Sequence, residues 1–474
     1  MVARGRRERD HTIVKNTYRP ATVVKINNAT VLFEDTSLQQ LTYLVRSRVN
    51  MSHEGDLAQD KAVKLKLVIE NIVPYCTEDS EHEEIRQIAA AITAGGELVG
   101  ENLEGSTNFS YRVYVKGNRD LSIFVKIAFE YARWNPDRSF YDLERITTEY
   151  AMLKKFSYLL APTAPVATPY FCMDIAPKIR MLVAQWTPSH EVWAHQFVRG
   201  EVDARIVRHV AEFIAQVNIE EYGDPRLNDG IKDSFRGLYP IAKTAFAQMI
   251  AADGEPTDHF LAYARELGQQ KFDEIMDALA AAYERCDVLL HGDTHAINIL
   301  VEPLTAEGKF GRKGEFYVCD WEMVHAGDKG RDPGTFYAWP ILCSYFLAAR
   351  GEKRKAYGVV GCMRDFWDAY SGFLVEKGGR NEKQIGEVLR SCLGWCGVYA
   401  FVANYLIGVQ RNYMPFDLVT KETSDKCLAS VAITGVKALE CGFLDTKPTF
   451  SVEELWKWFE DLIREQIEFI AKTC

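Results

Sequence analysis

VLLHGDTHAINILVEPLTAEGKFGRKGEFYVCDWEMV, residues 288–324, is a β-rich island in a chain that is mostly helix-like beyond residue 190. Its first half holds the polar loop HGDTHAIN, from His291 to Asn298, between apolar runs typical of short strands. Its second half holds Asp320-Trp-Glu322, which begins 22 residues after Asn298. The stretch therefore predicts an acidic loop between two strands, with a second acidic segment on the next strand.

The interval between Asp293 and Asn298 is typical of catalytic loops in kinases. In such loops the Asp orients the attacking hydroxyl and accepts its proton, and an Asn five positions later holds a metal ion. A second Asp, here Asp320, bridges Mg²⁺ to the phosphates. Mg²⁺ needs only one or two carboxylates beside phosphate oxygens. We therefore expect Asp293 to be the base, and Asn298 and Asp320 to be metal ligands.

Three other residues of this stretch have less specific interpretations. Glu322 is a candidate ligand for a second metal ion. His291 and His295 are expected to shape the loop rather than transfer protons, because Asp293 already supplies that role. Taken alone, each of these residues is equally compatible with a purely structural interpretation, in which the histidines lie in the core or in a turn and the acids are solvated. The complete constellation favours a phosphotransfer site.

The nucleotide contacts are expected upstream of this loop. Gly105, Ser106 and Asn108 lie in EGSTNFSYRV, residues 104–113, which resembles a turn that covers phosphates with backbone N–H groups. Lys126 lies in a strand-like run, where a phosphate-binding lysine belongs. Glu149 follows 23 residues later on a predicted helix and is expected to pair with Lys126 and hold it against the phosphates. A strand lysine and a helical glutamate are ordinarily solvent-facing. The two assignments therefore depend on each other.

The order of elements predicts an α+β fold with two lobes. EHEEIRQIAAAI is predicted as a helix, FSYRVYV and LSIFVKIAF as strands, DLERITTEYAMLKKF as a helix and KIRMLVAQW as a strand. Residues 131–140 are predicted as a polar, aromatic loop. We expect residues 81–188 to form a small nucleotide-binding lobe and residues 189–474 a helical catalytic and substrate-binding lobe.

Residues 1–80 are expected to form a β-rich N-terminal extension without chemistry of its own. Two β-rich runs flank Asn27-Asn28, which is typical of a hairpin. Residues 1–50 carry nine Lys/Arg against four Asp/Glu, but Glu8 and Asp10 interrupt the basic start and disfavour a transit peptide. Three roles stay open for the extension: strand pairing, formation of a homodimer, or covering the enzyme.

The composition excludes several classes of protein. No run of about 18 apolar residues occurs, so no membrane-spanning helix is expected. The net charge of −10 argues against wholesale nucleic-acid binding, which needs a basic surface. Eleven scattered cysteines and the lack of a secretory signal indicate reduced thiols in the cytoplasm. Cys392 and Cys396 form a close pair, but no second pair completes a zinc site.

The chain from about residue 82 to residue 445 resembles the aminoglycoside phosphotransferase and choline kinase superfamily, and within it the methylthioribose kinase group. The superfamily patterns H-G-D-x-H-x-x-N, D-x-E and G-x-D-x-G are matched at residues 291–298, 320–322 and 330–334. Methylthioribose kinases share the 23-residue Lys-to-Glu interval and an Arg four positions before the Glu, here Arg145. They also share a Trp-Pro loop, here Trp134-Asn-Pro136, and a glycine-rich late helix, here residues 394–409.

The resemblance implies a two-lobed protein-kinase-like fold that binds ATP and Mg²⁺. Adenine is expected at the hinge near Gln185 and Trp186, bound through the backbone. The alcohol substrate is expected over the helical lobe, near Asp293, Asn404 and Trp134.

The departures from the methylthioribose kinase pattern concern the acceptor. Ala403 and Asn404 stand where those kinases carry paired arginines, so two guanidinium forks are missing. Their D-P-E is D-W-E here, and Asn298 stands at their usual serine. A polar sugar should therefore bind less well. An amine-bearing or aromatic metabolite is favoured, although most of the Trp and Tyr side chains are expected in the core.

The sequence thus predicts an ATP:alcohol phosphotransferase that phosphorylates a hydroxyl group of a small molecule. Two alternatives stay open: methylthioribose kinase itself, and a non-catalytic kinase-like binding protein. The completeness of Lys126, Asp293, Asn298 and Asp320 argues against the second alternative, because inactive relatives of kinases usually lose at least one such residue.

Overall fold

The computed structural model has two lobes, a β-sheet lobe followed by a largely helical one. It describes residues 65, 68–103, 108–129, 131–132, 135–139, 142–159, 165–187, 190–224, 226–236, 243–244, 246–247, 250–251, 259–305, 314–401, 419–444 and 450–474.

The small lobe is built on an antiparallel sheet with strand order β1-β2-β3-β7-β6. The bounds of its strands are β1 Leu98–Leu103, β2 Phe109–Val115, β3 Asn118–Phe129, β6 Pro169–Ala176 and β7 Ile179–Gln185. The predicted strands β2, β3 and β7 are confirmed. Strand β1 was not predicted, because it lacks a run of apolar residues. Strand β6 was not predicted either. Residues 131–140 contain a short antiparallel pair, β4 Tyr131–Ala132 and β5 Asn135–Ser139, so the prediction of a loop is wrong there.

Strand alternation gives the sheet two different faces. In β3, Ile123, Val125 and Ile127 are fully buried in one hydrophobic cluster, which includes Ile85 of helix α1, Glu83–Thr93. The residues between them point the other way, because successive side chains of a strand alternate. Lys126 therefore lies on the opposite face, which helix α2, Glu144–Leu159, covers. Helices α1 and α2 correspond to the two helices predicted for this lobe, and both predictions are confirmed.

Residues 68–72 are helical and belong to the core of the small lobe. Val68 and Ile72 are fully buried in the same cluster as Ile85 and the strand side chains. The core thus begins before residue 81. A domain boundary at residue 80 would separate this helical turn from the cluster that it completes.

The helical lobe surrounds one buried helix. Its described helices are α3 Trp193–Arg199, α4 Ala204–Ile219, α5 Asp229–Arg236, α6 His259–Tyr283, α7 Arg331–Ala349, α8 Lys353–Glu376, α9 Glu382–Gly397, α10 Lys421–Phe443 and α11 Val452–Thr473. Helix α7 is buried on every side, as expected for a helix that is apolar all round. Gly334 allows α7 to approach α9, since a Cβ there would lie 2.4 Å from the Cys392 carbonyl oxygen.

The late aromatic residues serve mainly in packing. Trp339, Trp367 and Trp395 are buried in the main hydrophobic cluster. They are therefore parts of the core, as expected for most of the aromatic side chains. Within the described ranges, we find no helix whose length and apolar character would let it cross a membrane.

Short strands bring the two acidic segments together. Strand β9, Val288–Leu290, pairs with β12, His325–Gly327. Strand β10, Ile299–Val301, pairs with β11, Phe316–Val318, and with β8, Glu191–Val192. The loop between β9 and β10 and the turn between β11 and β12 therefore lie side by side.

Candidate active site

The loop between β9 and β10 is held by a buried carboxylate. Asp332, at the start of α7, accepts hydrogen bonds from the backbone N–H groups of His291 and Gly292, both at 2.9 Å. Gly292 has φ +86°, and a Cβ there would lie 2.2 Å from the Met323 carbonyl oxygen. The loop can therefore approach the D-x-E turn only with glycine at this position.

Asp293 projects from this loop with 24% of its side chain exposed. Asn298 Nδ2 donates to Asp293 Oδ2 and to the Asp293 carbonyl oxygen, both at 3.0 Å. His295 Nε2 lies 3.2 Å from the other carboxylate oxygen. The carboxylate is thus fixed by two neighbours of its own loop.

The charges around Asp293 favour its ionised form. Burial alone would raise the pKa of Asp293, but the neighbouring His295, together with His291 and Arg331, lowers it. Burial alone would lower the pKa of His295, but the Asp293 carboxylate raises it. An ionised Asp293 is the protonation state that a proton acceptor needs.

Lys126 connects the two lobes. Its Nζ lies 2.7 Å from Glu149 Oε2 of α2 and 2.5 Å from Asp320 Oδ1 of the helical lobe. Burial alone would lower the pKa of Lys126, but the carboxylates of Asp320 and Glu149 raise it. Burial, with Asp320 and Glu322 nearby, raises the pKa of Glu149. The predicted pairing of Lys126 with Glu149 is present in the structure.

Glu322 belongs to a second buried network between the lobes. Its Oε2 accepts from Asn108 Nδ2 at 2.6 Å and from Arg145 Nε at 3.1 Å. Arg145 also donates to Asn108 Oδ1 at 2.8 Å and to the Phe129 carbonyl oxygen at 3.2 Å. Asn108, which lies in the segment predicted to cover the phosphates, is thus tied to the D-x-E turn.

The carboxylates of this region suit a hard cation. One oxygen from each of Glu149, Asp320 and Glu322 can be chosen so that all three lie within 4.8 Å of one another. Oxygen donors in this number fit Mg²⁺. Asp320 has the left-handed φ of 63°, which turns the backbone sharply before the 3₁₀ turn Trp321–Met323.

The hinge residues Gln185 and Trp186 contact the protein through their side chains. Gln185 Oε1 accepts a hydrogen bond from the Thr168 N–H at 3.4 Å. The Arg112 guanidinium lies 4.8 Å from the centre of the Trp186 ring. Adenine binding through the backbone of this segment stays a prediction.

Four of the predicted nucleotide and substrate residues lie outside the described residues. They are the nucleotide candidates Gly105 and Ser106 and the substrate candidates Trp134 and Asn404.

Two residues were given no role from the sequence, although each carried a signal. Asp332 lies in the G-x-D-x-G pattern, but only the folded structure shows that it accepts hydrogen bonds from the backbone of the catalytic loop. Arg145 lies four residues before Glu149, so one helical turn places both on the same face of α2. That spacing places Arg145 beside Glu149, so a second acidic partner for Arg145 could have been predicted from the sequence.

Comparisons with known proteins found similar sequences and similar solved structures. No protein-family model matches the chain. Methylthioribose kinase 1 of Oryza sativa subsp. japonica is 25% identical over 325 residues, which are 63% of this chain and 70% of that protein. Methylthioribose kinase 2 of the same organism is 25% identical over 329 residues, which are 63% and 71% of the two chains.

The chain is also similar to solved structures. They include an aminoglycoside-3'-phosphotransferase of type VIII, with 15% identity, TM-score 0.33 and coverage of 64% of this chain and 97% of that one. A glucosamine kinase has 13% identity, TM-score 0.37 and coverage of 77% and 83%. The catalytic motif and the similarity to two methylthioribose kinases lead to one conclusion: the chain is a phosphotransferase that is similar to the methylthioribose kinases.

Proposed function

We propose that this phosphotransferase uses ATP and Mg²⁺ to phosphorylate a hydroxyl group of a small metabolite. The observation that carries the proposal is the contact of Lys126 with both Glu149 and Asp320, next to a loop that presents an ionised Asp293. This arrangement supplies a phosphate-binding cation, carboxylates for a metal and a proton acceptor. Phosphoryl transfer depends mainly on such positioning and charge stabilisation.

Each side chain has a distinct task in this proposal. Asp293 orients the acceptor hydroxyl and takes its proton as the oxygen attacks phosphorus. The amide N–H₂ of Asn298 holds that carboxylate, which leaves the amide oxygen available as a metal ligand. Asp320 is the second ligand, and Mg²⁺, when bound, neutralises charge on the phosphates. Lys126 anchors the phosphates, and Glu149 keeps its ammonium in place.

Glu322 is proposed as an additional metal ligand through its second oxygen. Its Oε2 is already occupied by Asn108 and Arg145. One carboxylate would thus link the small lobe to the metal site.

The acceptor is proposed to be an amine-bearing or aromatic alcohol. The support is the sequence change at Ala403 and Asn404, which removes the paired arginines of methylthioribose kinases. Loss of a donor to a substrate hydroxyl costs about 1–3 kcal/mol per unpaired group. Since Trp339, Trp367 and Trp395 lie in the core, they add no support for an aromatic pocket. The second candidate is methylthioribose kinase, favoured by the two relatives at 25% identity.

The test is turnover of labelled ATP with a panel of acceptors: methylthioribose, choline, ethanolamine and hydroxylated aryl-ethylamines. We expect kcat/KM to be greatest for an amine-bearing or aromatic alcohol. The matched control is Asp293→Asn, which should lower kcat by about 10²–10⁴-fold while nucleotide binding stays intact. Efficient turnover of methylthioribose, near about 10⁴ M⁻¹s⁻¹, would replace the first candidate by the second.

A further inference from the structure

A buried lysine contacts a cysteine at the edge of the helical lobe. Lys232, on α5, is only 3% exposed, and its Nζ lies 3.0 Å from Cys286 Sγ. Within the described part of the chain, no carboxylate pairs with this ammonium, and the sulfur is its hydrogen-bond acceptor. A buried cation normally has an anionic partner, so a sulfur in this place is unusual.

The two groups differ in their access to solvent. Lys232 is enclosed, whereas Cys286 is only partly buried in the segment between α6 and β9. The Cys286 carbonyl oxygen accepts a hydrogen bond from the Tyr222 hydroxyl at 2.6 Å, which fixes the backbone that carries the sulfur. Small oxidants dissolved in water can thus reach a thiol that is held against a primary amine.

We propose that Lys232 and Cys286 form a covalent N–O–S bridge when the protein is exposed to dioxygen. One oxygen atom is inserted between nitrogen and sulfur, and the other leaves as water. The thiol loses one hydrogen and the ammonium loses two. Of these three hydrogens, two become part of the water molecule and the third is released as a proton. Sulfur and nitrogen are each oxidised by two electrons, and dioxygen accepts all four. The thiol is the usual point of entry for oxidation of a protein.

The bridge would join two segments that support the candidate active site. Cys286 lies just before β9, which leads directly into the loop of Asp293. Helix α5 follows Asn228, whose Nδ2 donates to the carbonyl oxygens of Glu322 at 3.1 Å and Val324 at 3.0 Å. A covalent link between α5 and the base of β9 would therefore restrain the D-x-E turn relative to the catalytic loop. It would also remove the positive charge of Lys232.

The test is mass spectrometry of the full chain after incubation in oxygen-saturated buffer. We expect the intact protein to gain one oxygen and lose two hydrogens, and a peptide that contains residue 232 to become linked to one that contains residue 286. Two equivalents of dithiothreitol supply four electrons and should restore amine, thiol and one water. The bridged protein should melt at a higher temperature than the reduced one, because the link closes a loop across 54 residues.

Two variants serve as controls. Lys232→Arg keeps the cation but has no primary amine, and Cys286→Ser keeps a hydrogen-bond acceptor but has no thiol. Both should lack the linked peptide. The proposal is overturned if the wild type shows no linked peptide after exposure to oxygen, or if Lys232→Arg gains the same mass. Since fragment ions assign the linked residues in the wild type, the test does not depend on the folding of either variant.

Discussion

Replacing Arg145 by methionine should destabilise the protein strongly, because it leaves a carboxylate buried without its cation. The side chains of Arg145 and Glu322 are 1% and 3% exposed, with Nε and Oε2 3.1 Å apart. Breaking a buried pair by removing one partner costs about 3–5 kcal/mol. The same change removes the hydrogen bonds that Arg145 donates to Asn108 Oδ1 and to the Phe129 carbonyl oxygen. We therefore expect the free energy of unfolding to fall by at least this amount.

The measurement is urea-induced unfolding of each variant, followed by tryptophan fluorescence. The matched control is Arg364→Met, because Arg364 pairs with Glu453 where the two side chains are 39% and 74% exposed. Exposed pairs contribute about 0–1 kcal/mol, so this control should change stability little. Arg145→Lys keeps the charge but lacks the planar fork that reaches both Glu322 and Asn108, so an intermediate loss is expected.

A double variant separates lost charge compensation from lost packing. Arg145→Met combined with Glu322→Gln removes the buried charge as well as its partner. It should be more stable than Arg145→Met alone. The reasoning is refuted if Arg145→Met lowers the free energy of unfolding no more than Arg364→Met does. It is also refuted if the double variant is no more stable than Arg145→Met alone.

The remaining predictions concern the metal site, the chain start and pH. Asp320→Ala should weaken Mg-ATP binding measured by calorimetry; unchanged affinity would remove Asp320 from the set of metal ligands. Deletion of residues 1–64 should preserve activity, since every motif lies downstream. Deletion of residues 1–80 should lower stability by about 3–6 kcal/mol, the value of two buried aliphatic side chains, and equal melting temperatures of the two truncated chains would contradict this. Because the Asp293 carboxylate raises the folded-state pKa of His295, their contact stabilises the fold fully below about pH 6.5 and loses its contribution as pH rises through the raised pKa. The difference in unfolding free energy between wild type and His295→Gln should therefore shrink from about pH 6 to pH 9, and a constant difference would disprove it.

The amino-acid sequence by itself determined the local elements and the nature of the chemistry. Alternating apolar residues in FSYRVYV predicted β2, because a strand with one buried face shows a period of two. The interval from Asp293 to Asn298 lies within one loop, so its chemistry could be read without the fold. The 23-residue step from Lys126 to Glu149 predicted their pairing once the strand and the helix were assigned.

Only the tertiary structure decided which distant residues meet. Asp320 contacts Lys126 across 194 residues, and Glu322 contacts Arg145 across 177 residues. Nothing in either segment specifies the other, because these pairs depend on how the two lobes pack together. The helical turn at Val68 and Ile72 shows the same limit. Its apolar residues indicate burial, but the surface that buries them is formed by strands much later in the chain, and its location follows from packing rather than from local pattern.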